Sequence, residues 1–566
     1  MKLSYLIGIG ATVATTLAAP ALSLGQTADH VGTDHIKHVL LLSVDGMHAV
    51  DFRDCANGFD DVNDGEPYCP NLVSLGQHGI NYVATSTSKP SDSFPGLMAI
   101  VTGATPKSMG IYYDVAYDRS LAPPAVTTGN GLAAGPCIPY GVPPGTTTEY
   151  EEGIDIDQTK LNGGAKGAGL TDGGIASIDS KRLVRDPANG CAPVYPWDFT
   201  RVNTIFGVIH EAGGYTAWAD KHPSYSSVGG PGINLNDYYS PEINSTVVPL
   251  PGVTTSEGNS CATIRDTSDT SSWTNSFANI QCNDQLKVNA ILNQIKGKTH
   301  TGAKAEVPAL FGMDYQSVSI GQKLIEKGVG TGGYKNASAD PSPLLVSEIE
   351  YVDATIGDMI HALKDAGIYD ETLIIVTAKH GQSPIDPALY KANGTYTPAT
   401  LIENDLPYSE SPANANGIGP TEDDISLLWL ADSSTTSADV ATLEKNASKI
   451  GLGQIFYGPT VALNYNWPGI GLGKDPRTPD IIVTPNVGVT YSNSKSKQAE
   501  HGGFAHDDTN VVLLVANPAL KQQTVSVPTT TAQVAPSILC ALGLSPDKLD
   551  AVKLEGTPTL PYLTLP

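Results

Sequence analysis

Four short stretches of the chain are nearly continuous in apolar residues: His38 to Val44 (HVLLLSV), Thr372 to Ala378 (TLIIVTA), Ile425 to Leu430 (ISLLWL) and Val511 to Ala516 (VVLLVA). A strand with one wet face alternates apolar and polar positions, whereas a continuous run is what burial on both faces of a parallel sheet requires. Between these runs the period changes. From Pro343 to Gly367, Leu345, Ile349, Val352, Ile356, Met359, Ile360 and Leu363 recur at helical spacing, and Gly367 is placed to stop the helix. Strands alternating with helices predict an α/β domain whose central sheet is mostly parallel.

Two stretches break this rhythm. Residues 118 to 190 are rich in Gly, Pro and Thr, and residues 225 to 305 in Ser, Thr and Asn. Loops of that length inside a compact domain are commonly functional. Residues 118–305 are therefore expected to be loop-rich insertions, a cap within a single domain spanning residues 36–566. They are expected over the sheet end where ligands of open α/β folds bind.

Charge narrows the function classes. The 566 residues carry 33 Lys+Arg against 58 Asp+Glu, a formal net charge of −25. A protein that tracks phosphate backbones normally shows a basic face, so binding to a nucleic-acid duplex is not expected. Residues 1–24 start Met1-Lys2, pass through an apolar run and reach Ala19-Pro20-Ala21-Leu22-Ser23. This reads as a cleavable secretory signal, and no later run has the length of a membrane span. A secreted or periplasmic protein is expected. The cysteines fit an oxidising compartment: Cys55 with Cys69, Cys137 with Cys191 and Cys261 with Cys282 would each tie a loop-rich segment, leaving Cys540 in an apolar helix. Spacing alone leaves other connectivities open.

Several strand ends carry chemistry. Asp45, in Ser43-Val44-Asp45-Gly46, can aim a carboxylate into the crevice beyond the first strand, although alone it also reads as a turn residue. Ser93, in Ser91-Asp92-Ser93-Phe94-Pro95-Gly96, stands before an apolar segment at the positive end of a predicted helix, or simply caps it. His380 in Lys379-His380-Gly381 and His501 in Glu500-His501-Gly502-Gly503 form two His-Gly corners that only a fold can bring together. Imidazoles at strand ends suit zinc or a similar ion. In Trp218-Ala219-Asp220-Lys221-His222-Pro223, Asp220 and His222 are either further ligands or an ordinary surface pair.

Taken in order, these segments resemble the alkaline phosphatase superfamily, and within it the type I phosphodiesterase/nucleotide pyrophosphatase family. The resemblance is carried by HVLLLSVDGM, SFPGLMAIVTGATPKSMGI, the unit from VSEIEYVDATIGD to TLIIVTAKHG, EHGGFAHDDTNVVLLVANPAL and the closing APSILCALGLSPDKLDAVKLEG, collinear from about residue 37 to 556. It implies a three-layer sandwich and an exported, metal-dependent phosphoric-ester hydrolase. Ser93 would be the nucleophile that forms a phosphoenzyme. Asp45, Ser93, His380, His501 and Asp314 would be ligands of one or two divalent ions, zinc by family habit. A small phosphate ester or nucleotide-like molecule would be the substrate. The oligomeric state is left open.

Three positions depart from the family pattern. Lys379 stands where the family has the Asp of Asp-His-Gly, and a protonated lysine cannot ligate a metal. The family's Asp followed four residues later by His is reduced to Asp314. Asp114, in Gly110-Ile111-Tyr112-Tyr113-Asp114, replaces an Asn that donates to phosphate. One account joins these changes: Lys379 replaces a metal ion electrostatically, either pairing with Asp114 or pointing at substrate, which makes Lys379 and Asp114 catalytic candidates. Two alternatives remain at this level: a binding protein of the same fold that has lost catalysis, and a sulfatase-like hydrolase. The second lacks the Arg of the sulfatase motif after Ser93.

Overall fold

The computed structural model describes residues 36–150, 154, 156–157, 174–243, 253–261, 274–414 and 418–565. The proposed secretory signal, residues 1–24, lies outside them. Its centre is an eight-stranded sheet. In chain order its strands are β1 (His38–Val44), β2 (Gly79–Tyr82), β3 (Ala217–Ala219), β4 (Asp237–Tyr239), β5 (Leu310–Tyr315) and β6 (Thr372–Thr377), then, after four strands of a smaller sheet, β11 (Leu513–Ala516) and β12 (Gln523–Val525). The order across the sheet is β12-β2-β11-β6-β1-β5-β3-β4. All run parallel except β11, which is antiparallel to both β6 and β2. The sheet is thus mostly parallel, with one reversed strand.

The continuous apolar runs are explained by the layers. Along β1, Leu40, Leu42 and Val44 join one core, while Val39 and Leu41 join the other. The first core is closed by α1 (Ala49–Asn57), α4 (Phe277–Ile295), α5 (Ser317–Lys323) and α6 (Pro343–Asp365), through side chains such as Phe52, Ile291, Val318 and Ile356. The second is closed by α2 (Ser93–Thr102), α3 (Ile205–Glu211) and α7 (Val534–Ala541), through Leu97, Phe206 and Ile538. Each strand residue therefore meets apolar side chains whichever way it points, which is the three-layer α/β/α arrangement. Helix α6 has the predicted limits: Ser342 Oγ accepts from Leu345 N, Pro343 occupies the first turn, and Gly367 at φ +72° ends the chain's helical course.

Two expectations need correction. Ile425 to Leu430 contributes not to the central sheet but to a separate antiparallel one, β7-β8-β10-β9, made of β7 (Thr421–Glu422), β8 (Ser426–Leu428), β9 (Leu452–Tyr457) and β10 (Ile481–Pro485). Its continuous run is buried because Leu428 and Leu430 face one small core while Leu427 and Trp429 face another. Residues 118–305, expected to be loop-rich insertions, also supply β3, β4, α3 and α4 to the main fold. Strands of three residues flanked by Gly and Pro give no sequence run to recognise.

Disulfides join Cys55 to Cys69, Cys137 to Cys191 and Cys261 to Cys282. Cys540 lies in α7, outside any disulfide. No helix among the described residues is long and apolar enough to cross a membrane.

Candidate active site

The C-terminal ends of four neighbouring strands converge. In register, Ser43 of β1 lies between Thr377 of β6 and Asp314 of β5, and Met313 pairs with Ala219 of β3. At or just beyond these pairs stand Asp314, Asp45, Lys379, His380 and Asp220. All five are at most 1% exposed. Helix α2 faces this edge with its N-terminus. Asp92 caps it, accepting from Phe94 N at 3.2 Å, and also accepts from Asp114 N at 3.0 Å. A Cβ on Gly96 would fall 2.1 Å from the Lys379 carbonyl oxygen, so only glycine lets the helix pack this closely on the β6 strand end.

Ser93, the first residue of α2, lies with its Oγ 3.1 Å from His380 Nε2. The other ring nitrogen, Nδ1, is 2.9 Å from the Gly381 carbonyl oxygen. A carbonyl only accepts, so Nδ1 carries the proton and the Nε2 lone pair faces the serine hydroxyl. Burial lowers the His380 pKa to about 4, against an opposing pull from Asp45, and keeps the ring neutral. Asp45 Oδ2 lies 4.0 Å from the same Nε2. The His501 ring lies 4.1 Å, centroid to centroid, from that of His380, and its Nδ1 is 3.4 Å from Asp92 Oδ1. Burial first, and then the neighbouring His380 imidazole, against which a second proton would be repelled, hold His501 well below the usual imidazole range.

Lys379 points inward. Its Nζ lies 3.0 Å from Asp314 Oδ2, 3.4 Å from Asp45 Oδ2 and 3.9 Å from Asp220 Oδ1. Burial disfavours the ammonium, but Asp220, Asp314 and Asp45 outweigh it and hold Lys379 above the ordinary lysine value. Burial likewise opposes the Asp45 carboxylate, and Lys379 and Lys221 prevail, holding Asp45 far below its ordinary value. Asp314 moves the other way, raised by burial and by the Asp45 charge. Of that carboxylate pair, Asp314 is the one that keeps a proton longer.

The structure thus unites Asp45, Ser93, Asp314, Lys379 and His380, with His501 alongside. The suggested pairing of Lys379 with Asp114 is not found. Asp114 Oδ1 instead accepts from Val115 N at 2.6 Å, and the ion-pair partners of Lys379 are Asp45, Asp220 and Asp314. The geometric reason is that Lys379 leaves its strand end toward β1 and β5, while Asp114 is tied to Asp92 at the mouth of α2. The patch around residue 220 divides: Asp220 joins the buried group, but His222 turns away to Glu242, 2.9 Å from its Nδ1. Two residues given no role from sequence enter the site, Asp92 and Lys221. An Asp immediately before Ser93 at a helix start is an N-cap signal that would have found the first. Nothing in the local sequence marks Lys221. A cavity of about 860 Å³ lies along α1 and the β2–β12 edge and is not lined by Ser93.

Comparison with known proteins bears directly on this arrangement. The family model described as type I phosphodiesterase/nucleotide pyrophosphatase matches residues 39–139 and 329–508, the segments that carry Asp45, Ser93, Lys379, His380 and His501. The chain belongs to this family. It is a hydrolase acting on phosphoric-ester bonds. Among solved structures, it is similar to murine ectonucleotide pyrophosphatase/phosphodiesterase 5, with a TM-score of 0.51 at 15% identity, covering 90% of this chain and 95% of that one. An inactive variant of the same murine protein in complex with AMP gives a TM-score of 0.51 at 14% identity, covering 90% of this chain and 96% of that one. At such identities the likeness shows the fold. No curated protein matches by sequence.

The family generally uses divalent ions, zinc among them, and the donor set here does not fit a pair of them. Lysine occupies one ligand position, and Val318 stands four residues beyond Asp314 where a histidine would be needed. Among the described residues no three His, Cys, Asp or Glu side chains converge as a ligand group. The carboxylate oxygens of Asp45 and Asp314 are buried without aligned hydrogen-bond partners, but an ammonium already lies among them.

Proposed function

We propose that the protein is an exported phosphodiesterase in which Ser93 is the nucleophile and His380 its general base. The observation that carries this reading is the 3.1 Å contact between Ser93 Oγ and the unprotonated nitrogen of a buried, neutral imidazole. Ser93 Oγ attacks phosphorus while His380 Nε2 takes its proton. The bond to the leaving alcohol breaks, and the imidazolium returns a proton to that oxygen. Water then attacks the phosphoserine, giving its proton to His380, and the bond from phosphorus to Oγ breaks with the proton returned to Ser93.

Surrounding groups act on charge and position. The N-terminus of α2 presents its dipole to the phosphoryl oxygens. Asp45 stabilises the transient imidazolium, and Asp92 holds the helix start and the neighbouring His501. Asp114, whose N–H donates to Asp92 at the same mouth, is assigned to contact with the substrate's ester group. Family membership favours a nucleotide-like diester, and the murine relative's AMP complex is in keeping with that class. Three disulfides support export to an oxidising compartment.

Hydrolysis of a chromogenic phosphodiester by the mature protein and by Ser93→Ala tests the assignment. Turnover that disappears in the variant is the expected result. Equal turnover in both would reject Ser93.

A further inference from the structure

The side chains beneath Ser93 form an ionic group closed to solvent. Asp45, Asp220, Asp314 and Lys379 are 0% exposed and Lys221 is 3% exposed. Three carboxylates thus meet two ammonium groups. Their roles are not equal. Lys221 Nζ touches the edge, 3.5 Å from Asp45 Oδ2, and donates to Gln316 Oε1 at 2.7 Å. Lys379 Nζ lies between all three carboxylates. The Tyr225 ring closes the remaining side, its centroid 4.1 Å from Lys379 Nζ.

The lysine has no easy way out. Thr87 Oγ1 donates to its carbonyl oxygen, and Gly96 packs against its backbone at a distance no larger residue tolerates. A divalent ion entering among the same carboxylates would meet an ammonium already at their centre, and buried like charges repel strongly. Both cannot share the space.

We propose that Lys379 is the resident cation of the Asp45–Asp220–Asp314 triad, an ammonium in the place of a divalent ion, so that the chain assembles no metal pair around Ser93. The proposal deepens the phosphodiesterase reading, on which it rests for the identity of the site. Its physical content is a statement about ion binding. The positive charge that anchors Asp45 beside His380 is covalently attached, and chelation cannot remove it.

The test counts metal rather than turnover, so it stands or falls apart from the role of Ser93. The full chain is stripped with chelator, equilibrated with Zn²⁺, freed of excess and analysed by plasma emission, alongside Lys379→Met and Lys379→Asp. The wild type is expected to retain no more than one zinc ion per chain. Each folded variant is expected to retain one more than the wild type, and that extra ion is expected to disappear when Asp45→Asn is added. Two zinc ions per wild-type chain would overturn the proposal, as would a folded variant that gains none. If both variants fail to fold, the wild-type count decides alone.

Discussion

Two groups of buried carboxylates adjoin the two site histidines, Asp45 with its neighbours beside His380 and Asp424 with Asp508 beside His501, and they differ in what sits among them. On the side of β1, β3 and β5, Asp45, Asp220 and Asp314 surround Lys379, with Lys221 adjoining. Behind His501, Asp424 and Asp508 are buried with no cation in ion-pair contact among the described residues: both oxygens of Asp424 and one of Asp508 lack an aligned hydrogen-bond partner. The consequence is opposite ionisation of Asp45 and Asp424. Asp45 is held low by its lysines, whereas Asp424 is raised well above the carboxylate range by burial and then by Asp508. Asp508 is raised to about 7 by burial and by Asp507, and Asp423 to about 7 by burial and by Glu500. Burial pushes each carboxyl toward its neutral form; the lysines reverse that at Asp45 but not at Asp314, which the Asp45 charge raises further.

This contrast is open to perturbation. The largest effect is expected on chemistry: Ser93→Ala lowers kcat by about three orders of magnitude or more, since removal of a nucleophile abolishes the covalent route. Next, Lys379→Met, measured by denaturant unfolding with chelator present, is expected to cost about 3–5 kcal/mol because it leaves buried carboxylates uncompensated. Asp424→Asn on the other side is expected to cost nothing or to stabilise at pH 8, because it replaces a carboxyl that burial and Asp508 already push toward its neutral form by a neutral amide of the same shape. A comparable loss in both variants would erase the distinction between the two groups.

The acid–base behaviour sharpens it further. The folded pKa of Asp508 is pushed up to about 7, above the ordinary aspartate value of about 3.9, so between these values the folded state binds more protons than the unfolded state. Its contribution to stability is therefore greatest at low pH and falls as pH rises from about 4 to 7, by up to about 4 kcal/mol. Asp508→Asn is expected to flatten that slope in urea midpoints measured across this range. The smallest effect concerns Asp114: the stability changes of Asp114→Asn and Lys379→Met are expected to add within about 0.5 kcal/mol, since the two side chains share no contact. Strong coupling between them would show that the mouth of α2 and the lysine group form one unit.

Much of the fold was legible in local pattern. The runs at β1 and β6 and the spacing along α6 each record a buried environment that neighbouring residues alone specify. β3 and β4 were not legible, because three-residue strands become strands only when neighbours supply their partners, β5 for β3 and β3 for β4. The site shows the same division. Asp45, Ser93, His380 and His501 stood out because turns and helix starts have sequence marks. The partners of Lys379 did not, since Asp220 and Asp314 reach it from strands far apart in the chain, and whether an ammonium meets Asp114 or Asp314 is decided by strand order.

The central claim is that Ser93 takes the phosphoryl group from substrate with His380 accepting its proton. The most direct test is to mix the mature protein with a phosphodiester substrate, quench in acid during turnover and locate phosphate by peptide mass spectrometry. The account predicts phosphate on Ser93, accumulating further in His380→Ala if the second step is slowed more than the first, and none in Ser93→Ala. Steady turnover with Ser93 unmodified at every quench time, or phosphate on another residue, would contradict it.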